Sequence, residues 1–243
     1  MKIIRVKDYD EMSRVAADIM IDKIKTTPDI TLGLATGGSP VKMYEYLVRD
    51  FKEHGTSYKD VKSYNLDEYV GLEQKHPQTY YTFMRKNLFD QVDISLENVH
   101  LPDGSVEDIQ AEADKYNELL ADTTIDLQLL GIGTNGHIGF NEPGSSFDGL
   151  TAVVDLTPET IEANSRYFEG NESLVPTKAI SMGIGSIMAA KEILLIASGA
   201  NKADAIKWLV EGEISEELPA SALRNHPNVT IIIDEEAASK LSA

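Results

Sequence analysis

The densest run of chemically capable residues is Gly136-His137-Ile138-Gly139-Phe140-Asn141-Glu142-Pro143. If this glycine-rich loop folds back, Glu142 meets His137. A carboxylate beside an imidazole raises its proton affinity and fixes its tautomer, which suits general acid–base work near neutral pH. The plainer alternative is an exposed histidine among turns. The chemical reading is preferred because loops at strand ends carry chemistry disproportionately. A second candidate, Asn65-Leu66-Asp67-Glu68-Tyr69, places adjacent carboxylates at another strand end. Either becomes a base if partly desolvated. By pattern alone this pair reads as a helix cap or a solvated turn.

Glycine supplies the third signal. Gly33 to Ser39 resembles a nucleotide-binding loop but lacks its lysine, which argues against ATP hydrolysis. Gly131-x-Gly-x-x-Gly136 follows a strand, as a dinucleotide fingerprint should. The further glycines and the proline behind it cannot open the required helix. Gly183-Ile184-Gly185 is weaker still. Gly37-Gly38-Ser39-Pro40 suits an anion better, because glycine admits close backbone approach and N–H groups point outward at a helix start. A tight strand–helix turn capped by Ser39 fits the segment equally well. His54, His76, His100 and His226 show no metal-ligand spacing, so no metal is expected.

These residues need elements to hold them. Short runs rich in Ile, Leu and Val recur: Ile30–Leu34, Ile125–Leu130, Ala179–Met182 and Ile193–Ala197, each ending in glycine. Such runs are strands buried on both faces. Lys62–Leu66 and Val229–Ile233 read as further strands. Helical patterns run from Asp8 to about Lys25 with a capping-box-like start, from Ser39–Pro40 to about His54, over Val106–Leu120, and from Lys202 to about Glu211. Alternation of strand and helix predicts an α/β fold: one open, mostly parallel sheet with helices on both faces, spanning 1–243 as a single catalytic domain. Ligands then bind at the carboxyl ends of the strands, where the glycine-rich turns lie.

Composition narrows the function classes. The 243 residues hold 22 Lys and Arg against 40 Asp and Glu, a formal charge of −18. Nucleic acid and anionic membrane surfaces are therefore not expected partners. Zero cysteines remove disulfides, thiolate nucleophiles and iron–sulfur clusters, and fit a cytoplasmic location. The early charges of the N-terminus interrupt any signal-peptide core, and the longest apolar runs are too short for a membrane span.

Five segments in order carry a resemblance over nearly the whole chain, from about Ile4 to Ile233. They are Leu34–Pro40, Asn65–Tyr69, Gly136–Pro143, Ala163-Asn164-Ser165-Arg166-Tyr167-Phe168 and Ser198-Gly199-Ala200-Asn201-Lys202-Ala203. Together they resemble the glucosamine-6-phosphate deaminase family. Its superfamily also holds 6-phosphogluconolactonase and ribose-5-phosphate isomerase and has a modified Rossmann-like fold. The resemblance implies that glucosamine 6-phosphate and water become fructose 6-phosphate and ammonia, with no metal or organic cofactor, in amino-sugar catabolism. By analogy His137, assisted by Glu142 and Asn135, moves the proton that opens the sugar ring. Asp67 removes the proton from C2 and returns one to C1. Arg166 and Lys202, with backbone N–H groups of Gly37, Gly38 and Ser39, hold the phosphate.

Two departures alter the expectations. Many members carry Asp where Asn135 stands, so here Glu142 must be the ionised partner of His137. Allosteric members bind an effector phosphate through basic residues shortly after Asn-Glu-Pro, whereas Gly144 through Glu162 contains no Lys or Arg. A non-allosteric enzyme is expected; the hexamer that accompanies allostery is then not required, and a monomer and a homo-oligomer both stay open. The polar stretch 158–176, which carries Arg166, is expected to be a lid that orders on the phosphate. The alternative there is a fixed surface helix and loop. Two rival functions share the fold. A 6-phosphogluconolactonase needs only water activation and has less use for the Asn65–Tyr69 segment. A sugar-phosphate sensor would bring a basic DNA-binding segment and no Asp67, His137 and Glu142 set.

Overall fold

Strands alternating with helices dictate parallel pairing, and the computed structural model, which describes residues 1–242, shows it. The strands are β1 (Lys2–Val6), β2 (Thr31–Leu34), β3 (Lys62–Asn65), β4 (Asp67–Tyr69) and β5 (Val99–His100). They continue with β6 (Leu127–Leu130), β7 (Ala152–Asp155), β8 (Lys178–Ser181), β9 (Glu192–Ala197) and β10 (Val229–Asp234). The helices are α1 (Tyr9–Thr26), α2 (Val41–His54), α3 (Tyr80–Met84), α4 (Ile109–Ala121), α5 (Pro158–Ser165), α6 (Ile184–Met188) and α7 (Ala203–Glu211). Seven strands form an all-parallel sheet in the order β1-β10-β9-β6-β2-β3-β5. All of β2 and β6 is buried, as expected of strands covered on both faces.

Helix α1 shows how the sequence sets its own packing. Met12, Ala16, Met20 and Ile24 recur every fourth residue and are all buried. Its N-terminus is capped as the sequence predicts: the Asp8 carboxylate accepts from the Glu11 N–H at 2.9 Å. Glu11 reaches one residue further back than a capping box requires and accepts from the Lys7 N–H at 2.9 Å. Each large apolar side chain buried this way stabilises the fold by roughly 1.5–3 kcal/mol.

Three expectations are corrected. Ala179–Met182 does not join the parallel sheet. Its strand, β8, lies in a separate three-stranded antiparallel sheet of order β4-β8-β7. The glycines behind it are packing positions, since a Cβ on Gly183 would lie 2.1 Å from the Gly149 carbonyl oxygen. Second, the strand at 62–66 stops at Asn65. The Leu66 N–H still donates to the Leu34 carbonyl, while the Leu66 carbonyl accepts from Met182. Leu66 therefore belongs to both sheets, and Asp67 starts the second. Third, Ser39 does not cap α2; Pro40 occupies the cap position without a side-chain bond. The Tyr9 hydroxyl instead donates to the Gly38 carbonyl at 2.9 Å and accepts from the Lys42 N–H at 3.3 Å.

Most buried apolar residues form one core around the large sheet. A second, smaller cluster gathers Tyr69, Phe140, Leu156, Phe168, Val175 and Ala179 beneath the 158–176 segment. No helix among the described residues is long and apolar enough to cross a membrane.

Candidate active site

The sheet order places the site. The chain runs outward from β2 to β3 and β5, then returns to β6 on the other side of β2. Open α/β sheets bind ligands at such a reversal, at the carboxyl ends of the strands. The Gly37–Ser39 turn leaves β2, the 131–142 loop leaves β6, and Lys202 follows β9, the next strand over. The turns abut: a Cβ on Gly131 would lie 3.9 Å from Ser39 Oγ. Lys202 Nζ donates to the Ile132 carbonyl at 2.7 Å.

The 131–142 loop folds back as the sequence suggests. Gly133 N–H donates to the His137 carbonyl at 2.9 Å, and the His137 ring lies over Gly133, where a Cβ would come within 2.2 Å of it. Gly136 turns the chain at φ 84°, a backbone region that glycine enters without strain. His137 Nδ1 lies 3.4 Å from Glu142 Oε2 and 2.7 Å from Asn135 Oδ1. Asn135 Nδ2 donates to Glu142 Oε2 at 2.7 Å, and Asn135 Oδ1 accepts from the His137 backbone N–H at 3.2 Å. That backbone donor fixes the amide, so a neutral His137 carries its hydrogen on Nδ1 and leaves Nε2 as the acceptor nitrogen. Burial opposes ionisation of Glu142. Hydrogen bonding to His137, its charge, and the Thr160 and Asn135 donors outweigh burial and hold the carboxyl down at about 2. Asn135 thus bridges the imidazole and the carboxylate at 2.7 Å each, while their direct contact is longer, at 3.4 Å.

The adjacent carboxylates separate because consecutive residues on a strand face opposite ways. Glu68 turns inward and accepts from the N–H groups of Tyr69, Tyr80 and Tyr81 at 2.8, 2.9 and 2.9 Å. It fastens β4 to α3 and is placed for structure. Burial still pushes it up to about 7 against those donors. Asp67 is only 6% exposed, and no hydrogen bond to its carboxylate occurs among the described residues. Burial, then the Glu68 charge, push it up to about 8. A desolvated, unpartnered carboxylate is a strong base once ionised.

The small sheet brings Asp67 to the histidine loop. Asp67 pairs with Ser181 across β4 and β8. Ser181 Oγ accepts from the Phe140 N–H at 3.0 Å, and Asn141 Nδ2 donates to the Ile138 and Met182 carbonyls at 2.8 Å each. A Cβ on Gly139 would sit 3.7 Å from Asp67 Oδ2. One loop therefore carries His137 and Glu142 and also forms a wall beside Asp67.

At the other end lie two cations. Arg166 follows α5, its guanidinium 4.8 Å above the Tyr167 ring. The Tyr167 hydroxyl reaches Gly38, 3.8 Å from where a Cβ would stand. Lys202 is held below the usual lysine range by burial and then by the Arg166 charge, which places the cations close together. Among the described residues neither forms an ion pair with a carboxylate. Two neighbouring unpaired cations in a chain of net charge −18 call for an anion. No group of three or more His, Asp or Glu is placed to hold a metal among the described residues. His226 is structural, its Nε2 2.7 Å from the Ala190 carbonyl oxygen, and His100 stacks on Tyr64.

Sequence reading missed Thr160, which donates to Glu142, and Tyr9, which straps the Gly38 turn. Thr157 caps α5, with Pro158 in its first turn, but nothing in the residue spacing aims Thr160 at Glu142.

An α/β sheet with a histidine–carboxylate loop, a buried aspartate and two unpaired cations at its switch point has the layout of a small-molecule enzyme. The chain belongs to the family described as glucosamine-6-phosphate isomerases/6-phosphogluconolactonase, whose model matches residues 7–232. It is 55% identical to glucosamine-6-phosphate deaminase of Halalkalibacterium halodurans over 100% of this chain and 98% of that one. It is 52% identical to the enzyme of the same name from Streptococcus thermophilus, covering 99% and 100%. A solved structure of a monomeric glucosamine-6-phosphate deaminase superposes with a TM-score of 0.95 at 47% identity, covering 98% and 99% of the two chains. The 6-phosphogluconolactonase of Trypanosoma brucei reaches a TM-score of 0.81 at 19% identity over 99% and 98%, a likeness of fold.

Proposed function

We propose that the protein converts glucosamine 6-phosphate and water to fructose 6-phosphate and ammonia, with Asp67 as the base for carbon and His137 as the ring-opening group. The observation that carries this reading is Asp67: buried, raised in proton affinity and free of hydrogen bonds, beside the loop that bears His137. A lactonase, which only has to activate water, has no task for such a carboxylate.

The steps balance without an added oxidant or reductant. The phosphate sits among Arg166, Lys202, the Ser39 hydroxyl and the N–H groups of Gly37–Ser39. His137 Nε2 takes the proton from the anomeric hydroxyl and passes it to the ring oxygen, opening the ring to an aldehyde. Ionised Glu142, through Asn135 and Nδ1–H, stabilises the transient imidazolium. Asp67 then removes the hydrogen from C2 while the aldehyde oxygen takes up the proton given up by the substrate ammonium, giving a neutral enolamine. It delivers a proton to C1 as the nitrogen lone pair forms a C2 iminium. Water adds at C2, and ammonia leaves. Each positioned proton transfer contributes typically 10²–10⁴-fold.

The 158–176 segment acts as a lid. It is tied to the body by Phe168 in the small core and carries Arg166 and Tyr167 over the phosphate turn. The chain works as a monomer without an effector site. Its Gly144–Glu162 stretch holds no basic residue, and its 47% identical structural relative is described as monomeric. A cytoplasmic location fits a cysteine-free chain acting on a sugar phosphate. Incubating purified protein with glucosamine 6-phosphate and measuring ammonia and fructose 6-phosphate together tests the proposal. Equal amounts of both are expected, and neither product would refute it.

A further inference from the structure

We infer that Thr160 is a positioning residue for ring opening: its hydroxyl holds one oxygen of Glu142 so that the other faces Asn135 and His137. The inference rests on the reading of the site above and adds a residue from outside the histidine loop. A glutamate side chain turns broadly about its last torsion. Only Oε2 of Glu142 is engaged from the loop, by Asn135 at 2.7 Å and beside His137 Nδ1 at 3.4 Å. Thr160 Oγ1 donates to Oε1 at 2.5 Å and so fixes the plane of the carboxylate.

Thr160 is built to hold that geometry. It is 8% exposed and lies in the first turn of α5. Its backbone N–H donates to Thr157 Oγ1 at 3.2 Å, and the two hydroxyl oxygens are also 3.2 Å apart. A threonine in a helix is held largely to two χ1 rotamers. One turn further on, Asn164 Nδ2 donates at 2.9 Å to the hydroxyl of Tyr69, on the strand that begins with Asp67. Phe168 packs edge-on against the same Tyr69 ring, centroids 5.7 Å apart. Helix α5 is thus pinned to the ring-opening carboxylate by one side chain and to the strand of the carbon base by another. A helix serving only as cover needs neither contact.

The test compares Thr160→Val, Thr160→Ala and Thr160→Ser with the wild type. Two measurements are made: turnover of glucosamine 6-phosphate, and inhibition by its ring-less amino-alditol phosphate, which binds without ring opening. Loss of a hydrogen bond to a charged group should lower kcat about tenfold or more in the Val and Ala variants. KM and the inhibition constant should stay within about twofold, and Ser should restore kcat to within about threefold. The Ala variant guards against a clash of the valine methyl with the carboxylate. Wild-type kcat in either hydroxyl-free variant would overturn the inference. So would an inhibition constant that weakens in step with kcat, since α5 and Arg166 would then simply have moved. Failure of the wild type to turn over substrate would instead remove the reading of the site itself.

Discussion

Asp67 and Glu68 show how little residue type alone decides. Both are buried carboxylates on one short strand. Three N–H donors make Glu68 a fastening, whereas Asp67 is left without a hydrogen bond beside the histidine loop. The sequence could not separate them, because it shows neither the strand's orientation nor the donors of α3 arriving from 12 residues away. The acid limb of kcat/KM should lie near pH 8, where Asp67 ionises, well above the usual carboxylate range near 4. Stability carries the same sign. A carboxyl that holds its proton more tightly when folded loses stability as pH rises from about 4 to about 8. Asp67→Asn should therefore raise Tm relative to the wild type at pH 8, with the gap closing toward pH 4. An acid limb near pH 4 and a lowered Tm at pH 8 would show that Asp67 is an ordinary solvated carboxylate.

Loops set the geometry at the scale of elements. The glycine turns after β2 and β6 were legible, because apolar runs ending in glycine have few other meanings in an α/β chain. The small sheet was not legible. Its strands β4 and β7 are three and four residues long, and β4 meets its antiparallel partner β8 across the pair Tyr69 and Ala179, a sequence distance that leaves no mark on local spacing. Gly133 tests the loop directly. A Cβ there would strike the His137 ring at 2.2 Å, so Gly133→Ala should cut kcat at least about tenfold while a phosphorylated inhibitor still binds. Undiminished kcat would mean that the ring position does not matter. For α5 and the segment behind it, Arg166→Ala should weaken inhibition by any phosphorylated ligand about tenfold. Proteolysis within 158–176 should slow when the amino-alditol phosphate is bound. Equal cleavage with and without it would favour a fixed surface segment.

For the whole molecule the parallel α/β architecture could be read from the order of strands and helices. The convergence of five distant segments could not be derived from spacing and rested on family resemblance. A chain of net charge −18 repels a sugar phosphate at long range. Beyond roughly 8 Å salt screens that repulsion, and the unpaired Arg166 and Lys202 dominate inside the cleft. With no Lys or Arg from Gly144 through Glu162, adding N-acetylglucosamine 6-phosphate should leave the substrate saturation curve unshifted, and sedimentation should report one chain. A clear shift of the curve would reveal an effector site elsewhere. The central claim is that one buried aspartate handles the hydrogens of carbon, and turnover in D₂O tests it most directly. The account predicts that the deuterium the wild type places at C1 of fructose 6-phosphate lies on one face only, resolved by NMR, and that Asp67→Asn binds the phosphorylated inhibitor yet forms no product. Labelled product from Asp67→Asn at the wild-type rate would contradict it.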